Sequence, residues 1–157
     1  MLEIAGLVRQ PRTYSFDDLA AVPGQVVDVS KLAPDREGSA VTLAALLELA
    51  QPTPDARFIR LEAEGDYAAS IPIDAVIDQA LVMYRLGEGP LPEAKGGPLR
   101  FLIPDVAACQ TADVDACANV KYLRRIELSA EQGRDVRPQT LAAHERLHEA
   151  EWREGGE

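Results

Sequence analysis

The sequence predicts an α+β fold, mostly strands with a few short helices, and three observations carry that prediction. Several stretches alternate apolar and polar residues with the period of a half-buried strand, as Ile59, Leu61 and Ala63 do against Arg60 and Glu62. The helical stretches are short and stop at breakers such as Pro23-Gly24. Strands and helices also follow one another irregularly, without the regular alternation that builds a doubly wound parallel sheet. The sequence contains no G-x-G-x-x-G, no P-loop and no internal repeat, so nucleotide-binding readings lack their motifs.

Taken in order, "YSFDDLAAVPG" predicts a short helix with Ser15 as N-cap and Asp18 placed for a capping box. "QVVDVS" alternates Val27 and Val29 with Asp28 and Ser30 and predicts a strand, and "KLAPDREGSA" predicts a loop. Thr42 caps a helix over "LAALLELA", which "QPTPD" ends. "RFIRLEAE" and "YAASIPI" predict a hairpin turning at Gly65-Asp66. "DAVIDQ" suits one helical turn and "ALVMYRL" a buried strand, although periodicity alone also accepts one longer helix through both. "GEGPLPEAKGGP" holds too many breakers for either element. "LRFLIP" and "NVKYLRRIEL" are expected as the last strands, so residues 1 to 128 form the globular domain. Residues 129 to 157 change composition and predict a C-terminal helical appendage, with Pro138 in its first turn.

Length and composition exclude several classes. A chain of 157 residues suits one domain that buries roughly two thirds of its unfolded surface. With 46% hydrophobic and 27% charged residues it is neither disordered nor membrane-embedded, and its longest apolar runs are too short to span a bilayer. Glu3 falls where a signal peptide needs an apolar core, so the protein reads as cytoplasmic. Cys109 and Cys117 suit a reduced compartment, while their spacing leaves a local disulfide open. A net charge of −10 repels a phosphate backbone, which argues against nucleic acid as partner. The basic cluster Lys121, Arg124 and Arg125 reads as a solvated strand edge.

"HERLH" places His144 and His148 one helical turn apart with Glu145 between them, the spacing of a zinc site. A catalytic zinc needs a third protein ligand, and nine residues follow His148. Leu141, His144, His148 and Trp152 also form one helical stripe, which reads as a packing or docking face.

Five segments in register, "GLVRQPRTYSFDDLAAVP", "VTLAALLELA", "GDYAASIPI", "GPLPEAKGGPLRFLIPD" and "NVKYLRRIEL", resemble the molybdopterin-binding domain of the sulfite oxidase family. The most specific match is Gly96 to Pro104 with Val120 to Ile126, a Gly-x-Pro-x-Arg strand ending in Pro and then a Val-Lys-aromatic-x-x-x-Ile strand. The resemblance implies a mixed α+β fold whose loops grip a molybdenum cofactor. It implies that Arg100 and Lys121, with Lys95 nearby, offer positive charge to a phosphate. It also implies that Asn119 bonds the pterin edge and that Gly96 and Gly97 allow close backbone approach. Read as residues alone, Arg100 would pair a carboxylate, Lys121 would be solvated and the glycines would make a turn.

This sequence departs from the family where the metal sits. The family ligates molybdenum with a cysteine thiolate after its second strand, whereas "VVDVSKLAPDREG" has none and sets Asp28 at or near that position, with Ser30 close by. Lys95 stands for the usual histidine, and Ala118 for a frequent cation. Cys109 and Cys117 lie in an inserted loop and are candidates for a replacement thiolate, or else buried or disulfide-bonded residues. Family segments for dimerisation, haem or twin-arginine export are not found, so a stand-alone domain is expected. Two readings follow. One is a molybdopterin-dependent oxidoreductase moving an oxygen atom or two electrons on a small-molecule substrate, active or catalytically degenerate. The other is a non-catalytic binding module, without cofactor, whose C-terminal helix docks a protein partner or a second copy in a homo-oligomer.

Overall fold

The structure is a computed structural model and describes residues 1–65, 67–105 and 119–133. Two five-stranded sheets hold the chain together. The first has the order β2 (Arg12–Tyr14), β1 (Leu2–Gly6), β10 (Leu123–Ser129), β5 (Phe58–Ala63), β6 (Ala68–Pro72). The second runs β3 (Gln25–Val26), β4 (Ser39–Thr42), β7 (Leu81–Leu86), β8 (Gly89–Pro90), and β9 (Arg100–Leu102) also pairs with β7. The main core contains Ile4, Ile59, Leu61 and Ile126 of the first sheet with Val41, Val82 and Phe101 of the second, all fully shielded from solvent. Each such side chain contributes about 1.5 to 3 kcal/mol by leaving water.

Local chemistry explains the helices. In α1 (Phe16–Ala20) the Ser15 hydroxyl accepts from the Asp18 N–H and the Asp18 carboxylate accepts from the Ser15 N–H, the reciprocal box expected from the sequence. Thr42 caps α2 (Leu43–Ala50), whose Leu43, Leu46, Leu47 and Ala50 turn inward, and Gln51 ends it in the left-handed region. The hairpin of β5 and β6, the turn α3 (Ile73–Val76) and the buried strand β7 also form where the sequence set them.

Several expectations are corrected. The strand over "QVVDVS" stops at Val26, because the Asp28 carboxylate accepts from the Ser30 N–H and caps a 3-10 turn, Val29–Lys31. Val27 is consequently 79% exposed while Val29 is buried. The loop "KLAPDREGSA" ends earlier, since Ser39 and Ala40 already belong to β4. "GEGPLPEAKGGP" contributes the two-residue β8 and a 3-10 turn, Glu93–Lys95. The last strand begins at Leu123 rather than Asn119, because Tyr122 takes φ 58°. That strand is central: β1 lies parallel on one side and β5 antiparallel on the other. Arg125 is therefore no solvated edge cation. It donates to Glu3 at 2.9 Å and Glu62 at 2.8 Å and pairs with Glu127 at 2.7 Å. Among the described residues, no helix is long and apolar enough to cross a membrane.

Candidate functional site

Strand directions gather the candidate residues. β3 is antiparallel to β4, β4 to β7 and β7 to β9, so the ends of β3 and β7 share one end of the second sheet with the starts of β4 and β9. Asp28 and Ser30 follow β3, Arg36 precedes β4, and Lys95, Gly96 and Gly97 lead into Arg100 at the start of β9. Residues 119–122 complete this end through three backbone bonds. The Tyr122 N–H donates to the Gly96 carbonyl at 2.8 Å, the Leu123 N–H to Leu99 at 2.8 Å, and the Phe101 N–H to Val120 at 2.8 Å.

Arg100 is the centre of the arrangement. It is 6% exposed, its Nη1 donates to the Lys95 carbonyl at 3.2 Å, and its buried Nε has no hydrogen-bond partner. Among the described residues no carboxylate pairs with it. Burial pushes its pKa down, and the charge of Arg36 pushes the same way, while Tyr122 opposes them. A buried cation with an unpartnered donor and a second cation nearby is electrostatically costly without an anion.

Gly96 and Lys121 shape the same spot. Gly96 has φ 93°, a left-handed conformation that suits glycine. A Cβ built there would stand 3.1 Å from Arg100 Cδ and 3.1 Å from Lys121 Cγ, so both cations border one cradle. Lys121 is exposed and makes no ion pair among the described residues. At Gly97 a Cβ would fall 1.8 Å from the Leu91 carbonyl oxygen, so this glycine serves close backbone packing. Lys95 enters through its carbonyl, and its side chain is exposed. The Asn119 Oδ1 accepts from the Ile103 N–H at 2.7 Å, which ties Asn119 to the residue that follows β9.

Asp28 and Ser30 are brought together, the Ser30 N–H and hydroxyl both donating to Asp28 Oδ1. Those bonds, the hydroxyl's first, hold the Asp28 carboxyl below its ordinary pKa, with Lys31 adding to the effect, so it is an anion at neutral pH. Cys109, Cys117, His144 and His148 lie outside the described residues, as do Ala118 and the helical stripe. Among the described residues, no three His, Cys, Asp or Glu side chains converge as a metal cage.

Arg36 escaped the sequence reading, because it sits in "DREG", where flanking acids make its charge look locally cancelled. Tyr122 reads only as the aromatic of the Val-Lys strand and gives no sequence sign of its left-handed backbone. An apolar groove of about 480 Å³ runs from Val26 and Leu32, which flank Asp28 and Ser30, to Leu81, Pro104 and Asp105, and none of the cationic residues lines it.

The comparisons with known proteins agree with this fold. A family model described as "Oxidoreductase molybdopterin binding domain" matches residues 38–136. The crystal structure of the sulfane dehydrogenase SoxCD from Paracoccus pantotrophus superposes with a TM-score of 0.60 at 19% identity, over 83% of this chain and 38% of that one. The chain thus spans well under two thirds of that protein's length, and the likeness is one of fold. None of the curated proteins matches the chain.

Proposed function

The chain belongs to the family of oxidoreductase molybdopterin binding domains, and we propose that it holds a molybdenum cofactor at the cationic end of its second sheet. The observation that carries this reading is the buried, unpartnered Nε of Arg100, set beside Lys121 and the side-chain-free surface of Gly96. That set fits the anionic part of the cofactor. A phosphate would offset the clustered positive charge through charge-assisted hydrogen bonds from Arg100 and Lys121. Gly96 lets the Arg100 and Lys121 side chains pack close together, and the backbone of Val120 to Tyr122, tied to Gly96 and Phe101, would border the pterin.

When bound, the cofactor would supply oxygen-atom or two-electron transfer, and this chain would bind, orient and electrostatically attract a small anionic substrate within an otherwise acidic protein. Asp28 and Ser30 would stand in for the thiolate; the carboxylate is a hard donor whose Oδ1 is already engaged by Ser30. The second reading, a catalytically degenerate domain that binds without turnover, draws on that substitution. A non-catalytic module docking a partner through residues 129–157 rests on the sequence stripe alone. The proposed division is a binding domain over residues 1–128 followed by that appendage, working in the cytoplasm.

Elemental analysis of the protein, purified from a host that makes molybdenum cofactor, tests the reading. Near-stoichiometric molybdenum supports it. Folded protein with neither molybdenum nor pterin refutes it, and pterin without metal selects the degenerate form.

A further inference from the structure

Arg36 occupies the turn before β4, where its N–H donates to the Ala33 carbonyl at 2.9 Å and its side chain is half-buried. Ala40, Met83 and Arg100 form one row across the sheet, since Ala40 pairs with Met83 and Met83 with Arg100. Residues directly opposite each other share a face, and on this face Val29, Ala40, Met83 and Leu102 make a small apolar cluster. The Val29 N–H donates to the Gly38 carbonyl at 2.9 Å, which draws the loop holding Arg36 over that face, at the end where Arg100 begins. Asp35 and Glu37 flank Arg36, yet among the described residues neither forms an ion pair with it. The lowering of the Arg100 pKa by Arg36 agrees with this placement.

Resting on the function proposed above, we infer that Arg36 is a third binding residue of the anion site, and that three convergent cations select a doubly charged phosphate monoester over singly charged anions. One guanidinium and one ammonium balance a dianion while Arg36 adds a further charge-assisted donor, so the preference for two negative charges grows with each cation. Arg36 lies outside the Gly-x-Pro-x-Arg and Val-Lys segments, in the loop between β3 and β4.

The test titrates methyl phosphate, a dianion at pH 8, and dimethyl phosphate, a monoanion, into the full chain while amide shifts of Gly96 and Lys121 are followed by NMR. Wild type is expected to bind methyl phosphate the more tightly. Arg36→Gln should weaken methyl phosphate about tenfold, the worth of one charge-assisted hydrogen bond, and narrow the preference between the two probes. Arg36→Lys, which keeps the charge, should recover part of both and separates charge loss from misfolding. If Arg100→Gln abolishes binding while Arg36→Gln leaves affinity and preference unchanged, the role of Arg36 is overturned and the site stands. If wild type binds neither probe, the anion site itself fails and this inference with it.

Discussion

A methyl group on Gly96 would stand 3.1 Å from Cδ of Arg100, so the glycine and the arginine are in packing contact at the mouth of the site. Gly96→Ala must therefore hold an alanine at φ 93° and push apart two cations. The expected loss is about 1 to 2 kcal/mol of folding stability, read by chemical denaturation, together with reduced pterin content. An alanine variant as stable as wild type contradicts the crowding.

Arg100→Met should separate binding from stability. Arg100 is buried without a counter-charge among the described residues and shares its sheet face with Met83 and Leu102. Replacing an uncompensated buried cation by an apolar chain of similar length is expected to leave the cofactor-free protein as stable, or about 1 kcal/mol more stable. Denaturation of the apo protein checks this, and a loss above about 2 kcal/mol would show that the guanidinium is structural.

The ion-pair lattice on the first sheet sets an acid limit. Burial alone would raise the Glu62 pKa, but the Arg125 hydrogen bond and the charges of Arg60, Arg125 and Arg124 hold it below its ordinary value of 4.5. Because the folded pKa is depressed, the stabilisation is complete above pH 4.5 and is lost as pH falls through the lower folded value. The hydrogen bonds of Ser15, its backbone N–H first, and the charge of Arg12 depress the Asp18 pKa, and those of Ser30 depress that of Asp28, so both act in the same sense. Thermal unfolding between pH 7 and pH 3 should show a Tm falling below pH 5, with a shallower slope in Glu62→Gln. Arg125→Met, which leaves Glu3, Glu62 and Glu127 with less compensation, is expected to cost about 1 to 3 kcal/mol at pH 7.

Much of the fold was legible because its signals are local. Ser15 with Asp18, Thr42 before a leucine-rich run, and the alternation of Ile59, Leu61 and Ala63 each act within one element. β1 carried the same kind of signal, Leu2 and Ile4 buried around exposed Glu3, but its parallel partner lies at Arg125 to Leu128, a pairing that no short window contains. "QVVDVS" failed for the opposite reason: a short side-chain bond from Ser30 to Asp28 outcompeted the ladder. At the site, Arg100 and Lys121 were legible from their resemblance to family positions. Their placement at the same end of the sheet as Arg36 depends on three antiparallel pairings, β3 with β4, β4 with β7 and β7 with β9.

Asp28→Cys tests whether this position replaces the missing thiolate. A soft donor at the metal position should raise the molybdenum-to-pterin ratio of the purified protein above that of wild type. An unchanged ratio, with the fold intact, places the metal ligand elsewhere or shows that none is needed.

The central claim is that the buried, unpartnered guanidinium of Arg100 receives the cofactor, and the most direct measurement is pterin per chain, read by fluorescence after oxidative release, in wild type and Arg100→Met made side by side in a cofactor-producing host. The account predicts pterin in wild type and at least a tenfold loss in the variant at equal folding. Equal pterin in both proteins, or none in folded wild type, would contradict it.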